Sequence, residues 1–151
     1  MLSRLVVEVT AQPEFSIRSF RTPDRAALQA LWQQVFPDDP PWNAPEVMIE
    51  NKLKMQPELL LVGELAGSIV GAVIAGFDGV RGWLYHLAVS PEHRRRGFAT
   101  KLVRAAERGL HDLGCSKVNL HVRATNHEVV AFYRSLGYHV EERVSMGRRI
   151  D

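Results

Sequence analysis

The sequence predicts an α+β fold, α/β layered, in which a mixed, mostly antiparallel central sheet of six or seven strands packs against about four helices. Three observations lead there. Apolar runs of strand length follow one another between Leu59 and Val89, segments on either side switch to helical period, and strands and helices interleave throughout. A chain of 151 residues fits one domain. A domain of that size buries about two thirds of its unfolded surface and needs no disulfide or metal staple.

Each element has a local cause. Phe15 to Phe20 reads as a short strand. Thr22-Pro23-Asp24 supplies a helix cap and a first-turn proline, after which Ala27, Leu28, Leu31, Trp32 and Val35 recur at helical spacing. Pro37, Pro40 and Pro41 stop that helix, and a second is expected over roughly Pro45 to Met55. Leu59 to Glu64 and Ile69 to Phe77 form a hairpin across Leu65-Ala66-Gly67-Ser68, and Trp83 to Val89 adds a third antiparallel strand after the Asp78-Gly79 turn. Ala99, Leu102, Val103, Ala106, Leu110 and Leu113 then mark one face of a helix that Gly114 stops. Val118 to Val122 reads as a strand, and Asn126 caps a helix bearing Val129, Phe132, Tyr133 and Leu136. Tyr138 to Val140 and Val144 to Ile150 are expected to close the sheet. Residues 1–12 read as an N-terminal extension or extra strand rather than a signal peptide, and 13–151 as a single domain.

Composition narrows the function classes. The chain is 46% hydrophobic and 24% charged, the balance of a soluble globular protein. No apolar run approaches the roughly 20 residues of a membrane span, so no membrane partner is expected. Cys115 is the single cysteine and suits a reducing, cytoplasmic setting. It follows Gly114 at the end of a helix, away from the strand–turn–helix junction and with no base beside it in sequence, which argues against an acyl-carrying thiol. No His, Cys, Asp or Glu spacing resembles a metal site. A formal charge of +2 gives no basic stripe for nucleic acid. The charge is instead local, with Arg94, Arg95 and Arg96 together beside His93.

That cluster lies at a strand–turn–helix junction, Leu87-Ala88-Val89-Ser90-Pro91-Glu92-His93-Arg94-Arg95-Arg96-Gly97-Phe98-Ala99-Thr100. A helix start offers unpaired N–H donors and the positive end of its dipole, both suited to phosphate oxygens. Gly97 lets backbone approach a ligand closely, Ala99 keeps the next turn small, and the arginines add charge. A solvated charged turn is the alternative for an arginine triplet taken alone.

The junction resembles the acyl-CoA signature of the GNAT superfamily of N-acetyltransferases, in which Gln or Arg, two residues, Gly, one residue, and Gly or Ala form the pyrophosphate loop. Arg94, Gly97 and Ala99 occupy those positions. The segments Leu120 to Asn126 and Ala131 to Tyr138 are similar to the family's other cofactor-side motifs, in its order and spacing. The Pro41 to Pro45 loop and the Gly76 to Gly79 turn resemble the bacterial YpeA-type branch.

The resemblance implies acetyl-CoA as acyl donor, with coenzyme A as product, and a small-molecule or peptide amine as acceptor. It implies a pantetheine arm paired with the strand edge at Leu87, Ala88 and Val89, and the pyrophosphate on Arg94 to Thr100. The Val89 N–H would then face the thioester oxygen. It implies that Tyr133 protonates the departing sulfur and that Asn126 bonds the pantetheine arm as well as capping its helix. His121 occupies a position where some relatives carry a glutamate base. His86, Tyr85 and ordered water are rivals for the amine's proton, and Glu64 and Asp78 lie in strands from which an amine is within reach. Trp42, Asn43 and Trp32, with the acidic Asp38, Asp39, Glu46 and Glu50, mark the expected acceptor side. Relatives are often homodimers. A non-catalytic acyl-CoA sensor is the alternative to an enzyme.

Overall fold

A short strand at Phe15 and apolar runs of strand length between Leu60 and Val89 build most of a single five-stranded sheet, β1 Phe15–Ser19, β2 Leu60–Leu65, β3 Ser68–Phe77, β4 Gly82–Val89 and β5 Val118–Asn119, in that spatial order. The computed structural model describes residues 13–151, so the expected extension over residues 1–12 lies outside the described residues. Strands β1 to β4 pair antiparallel, and β5 joins β4 in parallel. The helices are α1 Arg25–Val35, α2 Pro45–Leu53, α3 Phe98–Asp112 and α4 His127–Ser135. The chain divides into two compact units, one through Leu120 and one over His121–Asp151.

In the first unit the sheet is covered on both faces. Leu28, Leu31 and Trp32 of α1 and Ile49 of α2 pack with Leu60, Val62, Ala72, Ile74 and Ala88 on one face. Helix α3 covers the other, burying Phe98, Leu102, Val103, Ala106 and Leu110. It sits close because the strands present glycines to it. A Cβ on Gly71 would lie 2.9 Å from Leu102 Cδ1, and one on Gly82 would lie 2.7 Å from Cys115 Sγ and 2.9 Å from Leu110 Cδ1. At the helix start, the Phe98 ring stacks on Phe15 with centroids 4.0 Å apart, and Phe15 fills the space over Gly63.

The start of α1 sharpens the sequence reading. Of the expected Thr22-Pro23-Asp24 cap, Asp24 is the N-cap residue, though its side chain makes no capping bond to α1. Thr22–Asp24 forms a 3₁₀ turn, and the Asp24 carboxylate accepts the Arg21 N–H at 2.8 Å. That carboxylate also takes two hydrogen bonds from Arg18, at 2.7 and 2.9 Å, while Arg18 Nε reaches Glu64 at 3.1 Å. The Arg18 guanidinium, followed by the Arg21 amide, holds the Asp24 carboxyl below its ordinary value despite its burial.

The closing strands are a correction. The structure shows five strands among the described residues rather than six or seven, and residues 138–140 and 144–150 form none. Val140, Val144, Met146 and Ile150 are exposed, Val144 at 87% and Ile150 at 92%. Their alternation therefore buries no face, and the intervening Glu141, Glu142, Arg143, Arg148 and Arg149 are exposed as well. Strand β5 is also shorter than expected, ending at Asn119, so His121 lies beyond it.

Two outcomes follow for stability. Gly82→Ala should lower it by about 1–3 kcal/mol in urea denaturation, because the new methyl overpacks Cys115 and Leu110; an unchanged midpoint would contradict this packing. Because the folded Asp24 carboxyl titrates below 3.8, its stabilisation is full above that pH and is lost as pH falls through the lowered value. Asp24→Asn should therefore destabilise at pH 7 and flatten the acid limb of the stability profile.

Candidate functional site

The site residues of the first unit fall on β4 and the turn after it. In β4, Tyr85 pairs with Ile74 and Ala88 with Ala72, so His86 and Leu87 together oppose the single residue Val73. This is a β-bulge. His86 takes the left-handed conformation, φ 53°, which an L side chain adopts at a cost of about 1–2 kcal/mol. Its carbonyl accepts the indole N–H of the buried Trp32 at 3.1 Å, its ring meets Trp32 and Phe36 edge to face, and its Nε2 lies 2.9 Å from Asp39 Oδ2.

On its other side β4 pairs with β5 only at Gly82 and Trp83. From Leu84 to Val89 that edge has no strand partner among the described residues. The register past the bulge fixes which peptides face it. Ser90 N donates to Val70 O at 2.8 Å, so Val70 and Ser90 form the hydrogen-bonded pair and Gly71 and Val89 the non-bonded one. The N–H and C=O of Val89 thus point away from β3. The carbonyl is taken by Arg94 Nε at 3.2 Å, which ties the first arginine of the cluster to the end of the strand. Ala88 and Val89 are buried, so what they present to a ligand is backbone.

The turn is held from within. Ser90 is buried, its hydroxyl lies 2.5 Å from His93 Nδ1, and His93 N donates to Ser90 O at 3.0 Å. Arg95 at φ 63° and Gly97 at φ 77° then bend the backbone into α3. Left-handed residues interspersed in this way turn successive N–H groups to one side and make an anion-binding concavity. No side chain caps α3, and Gly97 O accepts the first helical bond from Lys101 at 3.1 Å. The amides of Phe98, Ala99 and Thr100 therefore lead the helix with no acceptor earlier in it. A Cβ on Gly97 would meet nothing within 4 Å, so its role is conformational and the space before the helix is open. Arg94, Arg95 and Arg96 are all exposed, whereas the Phe98 side chain faces the core and leaves only its backbone for the loop. Donors, dipole, charge and space fit a diphosphate.

In the second unit Asn126 caps α4, its side chain accepting from Val129 N at 3.3 Å. Tyr133 is buried, with its ring against Phe132 and Tyr138. Burial pushes its hydroxyl up to about 12, so it stays protonated through the neutral range and can donate a proton. His121 is exposed. Among the expected acceptor-side residues, Trp32 is 1% exposed and belongs to the core, while Trp42 is exposed at 52%. The role of Trp32 in holding the bulge was not visible in sequence. Its helical spacing marks it only as core, and the bulge itself leaves no period-two signature. Cys115 is buried, donating to Lys117 O at 3.3 Å. No group of three or more potential metal ligands occurs among the described residues.

Known proteins resemble this chain in sequence and fold. A family model described as the acetyltransferase (GNAT) family matches residues 25–138. Acetyltransferase YE1169 of Yersinia enterocolitica is 42% identical over 134 residues, covering 89% of this chain and 94% of that protein. Among solved structures, the aminoglycoside N-acetyltransferase AAC(6')-Iy in complex with CoA is similar, with a TM-score of 0.77 at 21% identity over 93% of this chain and 98% of that one. The ribosomal-protein-S18-alanine N-acetyltransferase of Escherichia coli matches with a TM-score of 0.67 at 25% identity, over 82% and 77%.

Gly97→Val, which forces a β-branched residue to positive φ, should weaken coenzyme A binding by about tenfold or more in titration calorimetry with the circular dichroism spectrum preserved. An unchanged affinity would contradict the loop as the anion site.

Proposed function

The chain belongs to the GNAT family of acetyltransferases and uses acetyl-CoA to acetylate an amine, and we propose that the transfer is direct, within a ternary complex assembled along the open edge of β4. The observation that carries this reading is the Val89 peptide turned away from β3 beside the uncapped start of α3. In this reading the pyrophosphate takes the amides of Phe98, Ala99 and Thr100 and the charge of Arg94 to Arg96, while the pantetheine arm adds to the edge of Leu87, Ala88 and Val89 as an extra strand. The Val89 N–H then stabilises charge developing on the thioester oxygen. Asn126 bonds the pantetheine arm, and Tyr133 supplies a proton to the departing sulfur. The tyrosine is protonated at neutral pH, as an ordinary tyrosine also is, so support for the role comes from the motif around it rather than from the shift.

The family match runs through both compact units, which supports 13–151 as one catalytic domain. The single cysteine supports a cytoplasmic setting. No helix among the described residues is long and apolar enough to cross a membrane. The acceptor is a primary amine, on a small molecule or a peptide. Similar folds carry names for an aminoglycoside in one case and a protein N-terminal alanine in another, so the fold alone does not choose between them. His121, His86, Tyr85 and water all compete for the proton that leaves the amine.

Incubation with acetyl-CoA across a panel of aminoglycosides, polyamines and N-terminal peptides should release free CoA with at least one class. Release with none, despite CoA binding, would indicate a sensor rather than an enzyme. On an accepted amine, Tyr133→Phe should lower kcat by about 100-fold with little change in coenzyme A affinity. Undiminished turnover would remove Tyr133 from the acid role.

A further inference from the structure

We propose that the His86–Asp39 pair at the bulge of β4 takes the proton from the attacking amine, an inference that rests on the transferase reading above. Four observations converge on the ring. It sits midway along the stretch of β4 that β5 leaves unpaired. Its Nε2 is engaged by Asp39 at 2.9 Å, and that carboxylate fixes Nε2–H as the donor tautomer. Nδ1 is thereby left with its lone pair, has no hydrogen-bond partner among the described residues and is not sealed from solvent. The edges and faces of Trp32 and Phe36 hold the ring in place at centroid distances of 5.5 and 5.0 Å. The backbone adds the fourth. A glycine would adopt φ 53° without strain, yet the position carries an imidazole. Strain of this kind at a pairing break marks a side chain placed for a task.

The arrangement is a base and its orienting carboxylate. The amine nitrogen attacks the thioester carbonyl carbon, the C–N bond forms, and the C–S bond breaks to release CoA thiolate. The proton lost by nitrogen goes to His86 Nδ1, and Asp39 stabilises the imidazolium that results. The thiolate takes its proton from Tyr133 in the reading above, and solvent returns both groups to their starting forms. His86 is the catalytic residue in this account and Asp39 a positioning one.

The backbone conformation also supplies the test. His86→Gly relieves the positive φ and leaves a space the size of the lost ring, so the variant should fold. On an amine that the wild type acetylates, its kcat should fall by about 100-fold while coenzyme A affinity in calorimetry stays within about twofold. Added imidazole should restore turnover in a saturable manner. His86→Gln, which keeps bulk but cannot take a proton, should show the same loss without rescue by imidazole. Asp39→Asn should lower kcat by less, with KM unchanged. Turnover in His86→Gly equal to wild type, or a loss that imidazole does not restore while CoA still binds, would overturn the proposal. A wild type that turns over no amine would overturn the transferase reading, and the proposal with it.

Discussion

Strand β4 has to satisfy β3 on one side while leaving its other side open, and the bulge at His86 is where those demands meet. The strand is paired on both sides only at Gly82 and Trp83, and along Leu84–Val89, which contains the bulge, the second edge has no strand partner among the described residues. The extra residue shifts the phase of the ladder, and the peptide of Val89 consequently faces outward. An exposed strand edge is ordinarily a liability, because it invites pairing with another chain. Here its backbone is held by the Trp32 indole on the His86 carbonyl and by Arg94 on the Val89 carbonyl. What remains open is a short row of backbone groups of the length and polarity an amide-containing arm can match.

The rest of the first unit keeps that edge in register with the phosphate loop. Helix α3 must begin where β4 ends, and close approach to the sheet at Gly71 and Gly82 leaves it little freedom to slide. Phe98 stacked on Phe15 fixes the first turn, so the leading amides stay aimed outward rather than fraying. The arginine side chains are exposed, Arg94 being held on the Val89 carbonyl, whereas the leading donors are backbone amides of α3. In the proposed site the backbone amides would supply preorganised donors and the exposed arginines charge.

Much of this was legible in the residues. The hairpin at Ala66-Gly67, the helix stop at Gly114 and the Asn126 cap follow from backbone chemistry that particular residues dictate, and each is observed. The strand–turn–helix junction was readable because a glycine, a small residue and three arginines stand at a change of hydrophobic period. The errors have equally local causes. Tyr138 to Val140 and Val144 to Ile150 read as closing strands, but such a pattern becomes a strand only where a partner ladder and a buried face exist. The Thr22-Pro23-Asp24 triplet does hold the N-cap residue, Asp24, but its carboxylate, already held by Arg18, takes the Arg21 amide rather than a helix amide. The bulge was invisible because a bulge is a relation between two strands, and neither sequence carries it alone. Asp39 and His86 are 47 residues apart and become a pair only through that relation.

Amide hydrogen exchange, followed residue by residue by NMR with and without coenzyme A, tests the open edge and helix start as the place where the donor binds. Slowed exchange at Val89 and at Phe98, Ala99 and Thr100, with little change along β1 and β2, is the predicted result. Exchange at those four amides that is unaffected by saturating coenzyme A would contradict it.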